Sequence, residues 1–245
     1  MLFRSWLFFG TGKYQDQIDK VTADQQYFFG LFDKDASSST PYTKSDLVEI
    51  QTEIVEAYAV DDNDNPVDID EDGDVDDDDL KQYRTISCAS PDEEGRCNPD
   101  NKSWMLKLAT PSGTASERSI SQPLVVGGVV FFTTFIPDGD VCEGNGDTYL
   151  FAVDWESGEF VSNEVFDING DDKYTEADKT VKDPGDPDNP QKVVGLYIGT
   201  GKPVPELVIH NDILFVGTTD EEPTVVKVNL EDLQSRLRSW KRQFN

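Results

Sequence analysis

Apolar residues in this chain come in short runs separated by polar stretches: LFFG, YFFGLFD, SWMLKLA, PLVVGGVVFFTTFI, TYLFAVDW, GLYIGTG, ELVIHNDILFVGTT and TVVKVNL. Runs of this length, rich in Val, Ile, Phe and Tyr and closed by Gly, Pro or Asn, predict β-strands. Met1 to Gly10, MLFRSWLFFG, belongs with them, because its apolar stretch is too short for a signal-peptide core and no small-x-small cleavage site follows. Gly127-Gly128 between PLVV and VVFFTTF, and Asn211-Asp212 between ELVIH and ILFVGTT, predict tight hairpins. After each hairpin come an acidic loop and one more strand, TYLFAVDWESGEFV or TVVKVNLED. The repeated unit has about four antiparallel strands, the size of a propeller blade. The expected fold is all-β, a partial β-propeller of about three blades of four antiparallel strands with acidic calcium-loop insertions. FGTGK (Phe9 to Lys13) and IGTGK (Ile198 to Lys202) also repeat, but Tyr14 and Pro203 follow the lysines where a phosphate loop needs Ser or Thr, so both read as turns joining strands.

Between the repeats the pattern changes. Ser45 to Ala59 places Leu47, Ile50, Ile54, Val55 and Tyr58 at helix-like spacing behind a Ser45 cap and predicts a helix, with an extended edge through TEIV as the alternative. DPGDPDNPQ, Asp183 to Gln191, carries three prolines and predicts a loop. The expected organisation is propeller strands in 1–44, an acidic insertion with a first calcium loop in 45–100, a blade in 101–166, a second calcium loop and Pro-rich loop in 167–192, a blade in 193–234 and a basic tail in 235–245. That tail, SRLRSWKRQFN, is suited to dock on the acidic body or to cap the last blade through Trp240.

Charge narrows the function. The 245 residues carry 49 Asp and Glu against 21 Lys and Arg, a net charge of -28 that repels phosphate backbones and anionic lipid and makes cations the natural partner. Nucleic acid is therefore not an expected partner. Nor is a transmembrane segment, since no run approaches the roughly 18 apolar residues that a spanning helix needs. With one His, three Cys and no C-x-x-C, zinc and haem have almost no ligands. Cys88 and Cys97 bracket a polar loop that can close as a local disulfide in an oxidising compartment, leaving Cys142 unpaired or paired elsewhere.

The acid is concentrated: Asp61 to Asp79 holds twelve carboxylates in nineteen positions, whereas Gln122 to Ile136 holds none. Within it, Asp68 to Asp79 reads DIDEDGDVDDDD, and Asp167 to Asp178 reads DINGDDKYTEAD. An EF-hand-type loop wraps calcium with side chains at positions 1, 3 and 5, a carbonyl at 7, a group at 9 and a carboxylate at 12. The first copy supplies Asp68, Asp70, Asp72, the Asp74 carbonyl, Asp76 and Asp79, with Gly73 at the sharp turn of position 6 and Val75 expected to pack inward at position 8. The second supplies Asp167, Asn169, Asp171, the Lys173 carbonyl, Thr175 and Asp178, with Asp172 at position 6 and Tyr174 at position 8. Neighbouring carboxylates cost on the order of 1 kcal/mol per pair even in water, so six would not converge without a cation. Magnesium is less suitable because it demands a stiff octahedral site with retained water. Asp154 and Glu156 flank Trp155 in a WESGE string of β-turn form, which outweighs a glycosidase-type carboxylate pair. His210 stands beside the Asn211-Asp212 turn with no Ser or Cys partner in view, the setting of a structural histidine.

LFFGTGKY, QQYFFGLFD, ERSISQPLVVGGVVFFTTFIP, a glycine-rich loop with Cys142, DTYLFAVDWESGE and GTGKPVPELVI together resemble the C-terminal β-propeller of the type IV pilus tip proteins known as PilY1. The resemblance covers most of the framework, and VVFFTTFIP with the following cysteine is its most specific part. It implies a bent, non-enzymatic propeller with aspartate-rich calcium loops, located at the pilus tip and outer cell surface. It further implies that pilins or minor pilins are partners, that adhesion to a host or other surface is a role, and that calcium occupancy is coupled to extension and retraction. The calcium role then falls on Asp68, Asp70, Asp72 and Asp76, and by a more approximate match on Asp167, Asn169, Asp171 and Thr175. About three blades are too few to close a ring, so the chain is expected to be part of a longer exported precursor that supplies upstream blades, or a truncated reading frame. Two alternatives remain at this point: a fragment of a quinone-dependent dehydrogenase propeller, to which YLFAVDWESG is similar, and a dockerin-like calcium module, although a dockerin keeps its two loops close together in sequence.

Overall fold

The computed structural model describes residues 5–33, 41–110, 115–140, 142, 144–201, 203–204, 206–217 and 224–229. The basic tail and Trp240 lie outside the described residues. The strands are β1 (Trp6–Gly10), β2 (Tyr27–Phe32), β3 (Val48–Ala59), β4 (Lys81–Ser87), β5 (Trp104–Lys107), β6 (Leu124–Val126), β7 (Val129–Pro137), β8 (Gly146–Asp154), β9 (Thr180–Asp183), β10 (Asp186–Lys192), β11 (Gly195–Gly201), β12 (Leu207–His210), β13 (Ile213–Val216) and β14 (Thr224–Lys227). Short 3-10 turns and no α-helix accompany them among the described residues. The all-β reading therefore stands. Each apolar run quoted above became a strand, and both hairpins formed, with Gly127, Gly128 and Asn211 at φ 60°, 96° and 58°. These are left-handed values, which such turns require and which Gly and Asn tolerate best.

One sheet runs in the order β1-β2-β5-β3-β4-β11-β8-β7-β6, with β9 joined to the end of β3 and β10 to β9, and it curls into a half-barrel. Its pairings are antiparallel except for β3 with β5. A separate three-stranded sheet is formed by β12-β13-β14.

Three sequence expectations are corrected. Ser45 to Ala59 holds no helix but the long central strand Val48–Ala59 behind a 3-10 turn at Lys44–Asp46, with Ile50, Thr52, Ala57 and Ala59 buried while Gln51, Glu53 and Glu56 face out. Here alternation within each half of the strand, its phase reversing between Thr52 and Ala57 so that the two halves feed different cores, and β-branched side chains outweigh the coarser helix-like spacing. The Pro-rich stretch is not wholly loop: β10 returns along β9, with an irregularity between Asp186 and Gln191 that takes the residues lacking an N–H out of the ladder. The second GTG string lies inside β11, where the register shifts between Tyr197 and Gly199, rather than in a turn.

Strands β7 and β8 are buried on both faces, and their alternate residues feed two cores. Val129, Phe131, Leu150 and Ala152 meet Leu214 and Val216 of the small sheet and Val228 just after it, together with Phe166 and Ile168. On the other face Val130, Phe132, Phe151 and Val153 meet Phe28, Leu106 and Trp104. Phe132 stacks between Phe28 and Phe151, at ring separations of 3.7 and 4.8 Å. Trp104 lies against Gly30 so closely that a Cβ there would sit 2.3 Å from the indole, which is why the YFFGLF strand carries a glycine.

A buried ion pair ties these layers together. Arg84 donates to Glu117 at 2.6 Å and to Thr52 at 2.8 Å, and Glu117 also accepts from the Ala109 N–H and the Thr134 hydroxyl. Both ionic side chains are fully buried. Truncating one partner strands the other charge, so Glu117→Ala is expected to cost about 3–5 kcal/mol in urea unfolding, whereas Arg84→Met/Glu117→Leu recovers most of that loss. Phe132→Ala is expected to cost about 3–5 kcal/mol, against at most about 0.5 kcal/mol for the exposed Val125→Ala.

Candidate metal centre

Two loops, about 100 residues apart in sequence, fold to one hydrogen-bond plan. At position 1, Asp68 and Asp167 accept from the N–H of position 6, Gly73 and Asp172, at 2.8 and 2.9 Å. At position 3, Asp70 and Asn169 accept from the N–H of Asp72 and Asp171, both at 3.2 Å. At position 5, Asp72 and Asp171 accept from the N–H of Asp74 and Lys173. At position 9, Asp76 and Thr175 cap short 3-10 turns, Asp77–Asp79 and Glu176–Lys179. At position 12, Asp79 and Asp178 bind back to the N–H groups of positions 2 and 9.

Backbone conformation repeats as well. Positions 4 and 6 are left-handed in both copies: Glu71 and Gly73 at 61° and 105°, Gly170 and Asp172 at 76° and 59°. Asp172 thus takes up the role filled by glycine in the first loop. One expectation fails: Val75 at position 8 is 46% exposed rather than packed inward, while its counterpart Tyr174 is half-buried.

The loops are anchored unequally. Ile168 and Ala177 of the second are buried, Ile168 in the core beside Phe166, and Asn169 donates to the Val60 carbonyl. Pairing of β9 with the end of β3, Ala59 against Val181, brings the second loop onto the Asp61–Asn65 turn that precedes the first. Asp62 of that turn accepts from the Thr175 hydroxyl at 2.9 Å. Sequence reading passed over Asp62, whose only signal was its place in the acidic run.

Electrostatics separate the two sites. One carboxylate oxygen from each of Asp68, Asp70 and Asp79 lies within 4.8 Å of the others, a set able to hold a metal ion. Asp68 Oδ1 is buried without a hydrogen-bond partner among the described residues. An acceptor in that state is what a cation would satisfy. Asp72, Asp74 and Asp76 belong to the same loop but not to this cluster. The Asp72 N–H pulls the Asp70 carboxyl down, yet burial and the charges of Asp72, Asp79 and Asp68 outweigh it and hold Asp70 above its ordinary value. Burial pushes Asp79 up, but the N–H groups of Asp76, Ile69 and Asp70 outweigh this and hold it below. In the second loop the Lys173 ammonium sits on Asp171 at 2.9 Å and lowers it, and Lys227 pairs with Asp172 at 2.6 Å. Burial raises Asp178 despite its N–H partners. Two lysines thus occupy oxygens of the second loop.

The other sequence candidates are structural. Asp154 Oδ1 accepts from the Glu156 and Ser157 N–H groups in the expected turn, and His210 is exposed at the end of β12. Cys88 and Cys97 form a disulfide, and Cys142 is free and exposed.

No family model matches the sequence. A type IV pilus biogenesis factor, PilY1 homolog, of Xylella fastidiosa is 26% identical over 168 residues, 68% of this chain and 11% of that protein. The crystal structure of the Pseudomonas aeruginosa PilY1 C-terminal domain superposes with a TM-score of 0.60 over 91% of this chain and 41% of that one, at 18% identity. The chain is similar to the PilY1-type C-terminal region. In fold the match is to a β-propeller, and the chain spans about a tenth of the curated PilY1 homolog.

A pH prediction follows from the two position-12 aspartates in chelator. Asp178 has a native pKa above its ordinary 3.8, so the stability it contributes is present below 3.8 and lost as pH rises through the native value. Asp79 has a native pKa below 3.8, so its contribution is present above 3.8 and lost as pH falls through the native value. The melting-temperature advantage of the native sequence over Asp178→Asn should therefore shrink as pH rises past 3.8, while its advantage over Asp79→Asn should grow up to 3.8. Offsets independent of pH would contradict both assignments.

Proposed function

We propose that this chain is a calcium-binding, non-enzymatic segment of a PilY1-type surface propeller that serves type IV pilus assembly, retraction control and adhesion. The observation that carries the reading is the shared register of the two loops, in which every side-chain ligand position of Asp68 to Asp79 has a counterpart, with the same hydrogen-bond role, in Asp167 to Asp178. The first loop is the tighter site, with Asp68, Asp70, Asp72, Asp76 and Asp79 as side-chain ligands and the Asp74 carbonyl as the sixth. The second binds more weakly through Asp167, Asn169, Asp171, Thr175, Asp178 and the Lys173 carbonyl, because calcium must displace Lys173 from Asp171. Occupancy fixes the loops against the sheet, and through the pilus-related relatives we extend this to a calcium-set geometry at the pilus surface, with pilins or minor pilins as partners and further blades supplied by a longer chain. The name of the Xylella fastidiosa relative supports the pilus assignment. A dockerin-like module finds no support in a strand-built chain without an α-helix among its described residues.

Calorimetric titration tests the reading. Native chain is expected to bind two calcium ions, the stronger lost in Asp68→Ala/Asp72→Ala and the weaker in Asp167→Ala/Asp171→Ala, with the weaker site in the extracellular range of about 0.1–1 mM. Each site should raise the melting temperature on its own. Lys173→Gln should tighten only the weaker one. A folded chain that takes up no calcium at millimolar concentration would leave the loops as solvated acid.

A further inference from the structure

Away from the two loops, the disulfide-closed segment, the turn after β8 and the ends of β4 and β10 enclose a cleft of about 660 Å³. That volume falls within the roughly 300–1,000 Å³ typical of small-ligand sites. Its walls are fixed in advance. The Cys88–Cys97 bridge closes one wall, and the buried Glu159 carboxylate clamps it to the opposite one by accepting from the Cys97 and Asn98 N–H groups at 2.5 and 3.0 Å. Asn98 then donates to the Lys102 and Ser157 carbonyls. A pre-formed cleft loses little ordering entropy on binding.

The charges around it are not equivalent. Arg96 is neutralised by Asp92 and Glu94, and Lys179 by Glu164 and Glu176. Lys192 makes no ion pair among the described residues; its ammonium lies 5.4 Å from the centre of the Phe160 ring. The surroundings are net acidic, since Asp92, Glu94, Glu159, Glu164 and Glu176 outnumber Arg96, Lys179 and Lys192, so an anionic ligand has one attractive partner, the Lys192 ammonium, which suits a single negative charge and is too little for a phosphate dianion. Neutral hydrogen-bonding groups, Asn101 and Ser162, line the same cleft without side-chain partners among the described residues, beside an apolar strip of Ile86, Val161 and Phe160.

A carboxylate for Lys192, hydroxyls for Asn101 and Ser162, and a C–H face for the apolar strip describe one chemical class. We propose that this cleft binds an acidic saccharide, a sugar ring carrying one carboxylate. The site does not depend on the calcium reading, since none of its proposed contacts is a cation ligand.

The test is amide-resolved NMR titration of the isotope-labelled full chain in calcium, with glucuronate as probe and glucose and acetate as controls, each to about 20 mM, which detects dissociation constants near and somewhat above 1 mM. The proposal expects glucuronate to shift the Asn98, Asn101 and Ser162 amides in a saturable way and to bind about fivefold or more tighter than either control, a difference of about 1 kcal/mol. Lys192→Gln, an exposed change that leaves the fold intact, should erase the preference over glucose, and Asn101→Gly, which removes the side-chain amide and keeps the left-handed backbone of φ 50°, should erase the preference over acetate. Absence of shifts in the cleft, acetate or glucose matching glucuronate, or undiminished binding by Lys192→Gln would each overturn it.

Discussion

Mutual repulsion among carboxylates sets the terms on which this chain folds, because its 49 acids outnumber its basic residues by 28 and a large share are held within a few ångströms of one another. The structure meets that repulsion at three levels. Backbone N–H groups point at the acids, as where Asp79 and Asp178 each draw on the N–H of positions 2 and 9. Lysines cover some of the second loop, Lys173 on Asp171 and Lys227 on Asp172. What remains is the cluster of Asp68, Asp70 and Asp79, with one buried oxygen that has no partner among the described residues, a set able to hold a cation.

The frame that brings these loops together is built around β7, which carries no charge, and β8, whose Asp147 and Asp154 lie near its ends. Strands β7 and β8 alternate their side chains between two cores, so the sheet is gripped from both faces, and one core extends to Phe166 and Ile168 at the root of the second loop. The short contact between β3 and β9 does the rest by laying the second loop on the Asp61–Asn65 turn ahead of the first. Loops distant in sequence are thereby linked through Thr175 and Asp62, a relation that spacing alone does not reveal.

Sequence made the framework legible where local chemistry and burial agree. VVFFTTFIP is apolar throughout because both its faces are covered, and Gly127-Gly128 permits only a tight turn. It misled where two periodicities overlapped, as in β3, whose Ile50, Ile54 and Tyr58 satisfy a helical spacing while Ile50, Thr52, Ala57 and Ala59 take the buried positions. Strand β4 escaped notice because its central Arg84 looks like a surface residue until Glu117 is placed opposite. The shared hydrogen-bond plan of the two loops was readable since oxygen-bearing side chains at fixed intervals leave a direct trace. The exposed Val75, the Lys173 contact and the cleft around Lys192 were not, since each depends on residues that only the fold brings near.

The central claim is that two cations, differently held, complete the two loops. A crystal structure grown with calcium, with anomalous scattering locating the ions, tests it most directly. The account predicts an ion in each loop, ligated from positions 1, 3, 5, 7, 9 and 12, at full occupancy beside Asp68 and Asp79 and at lower occupancy beside Asp167 and Asp178, with Lys173 displaced from Asp171 where the ion is present. Loops unchanged and free of anomalous signal at millimolar calcium, or ions held by residues outside both loops, would contradict it.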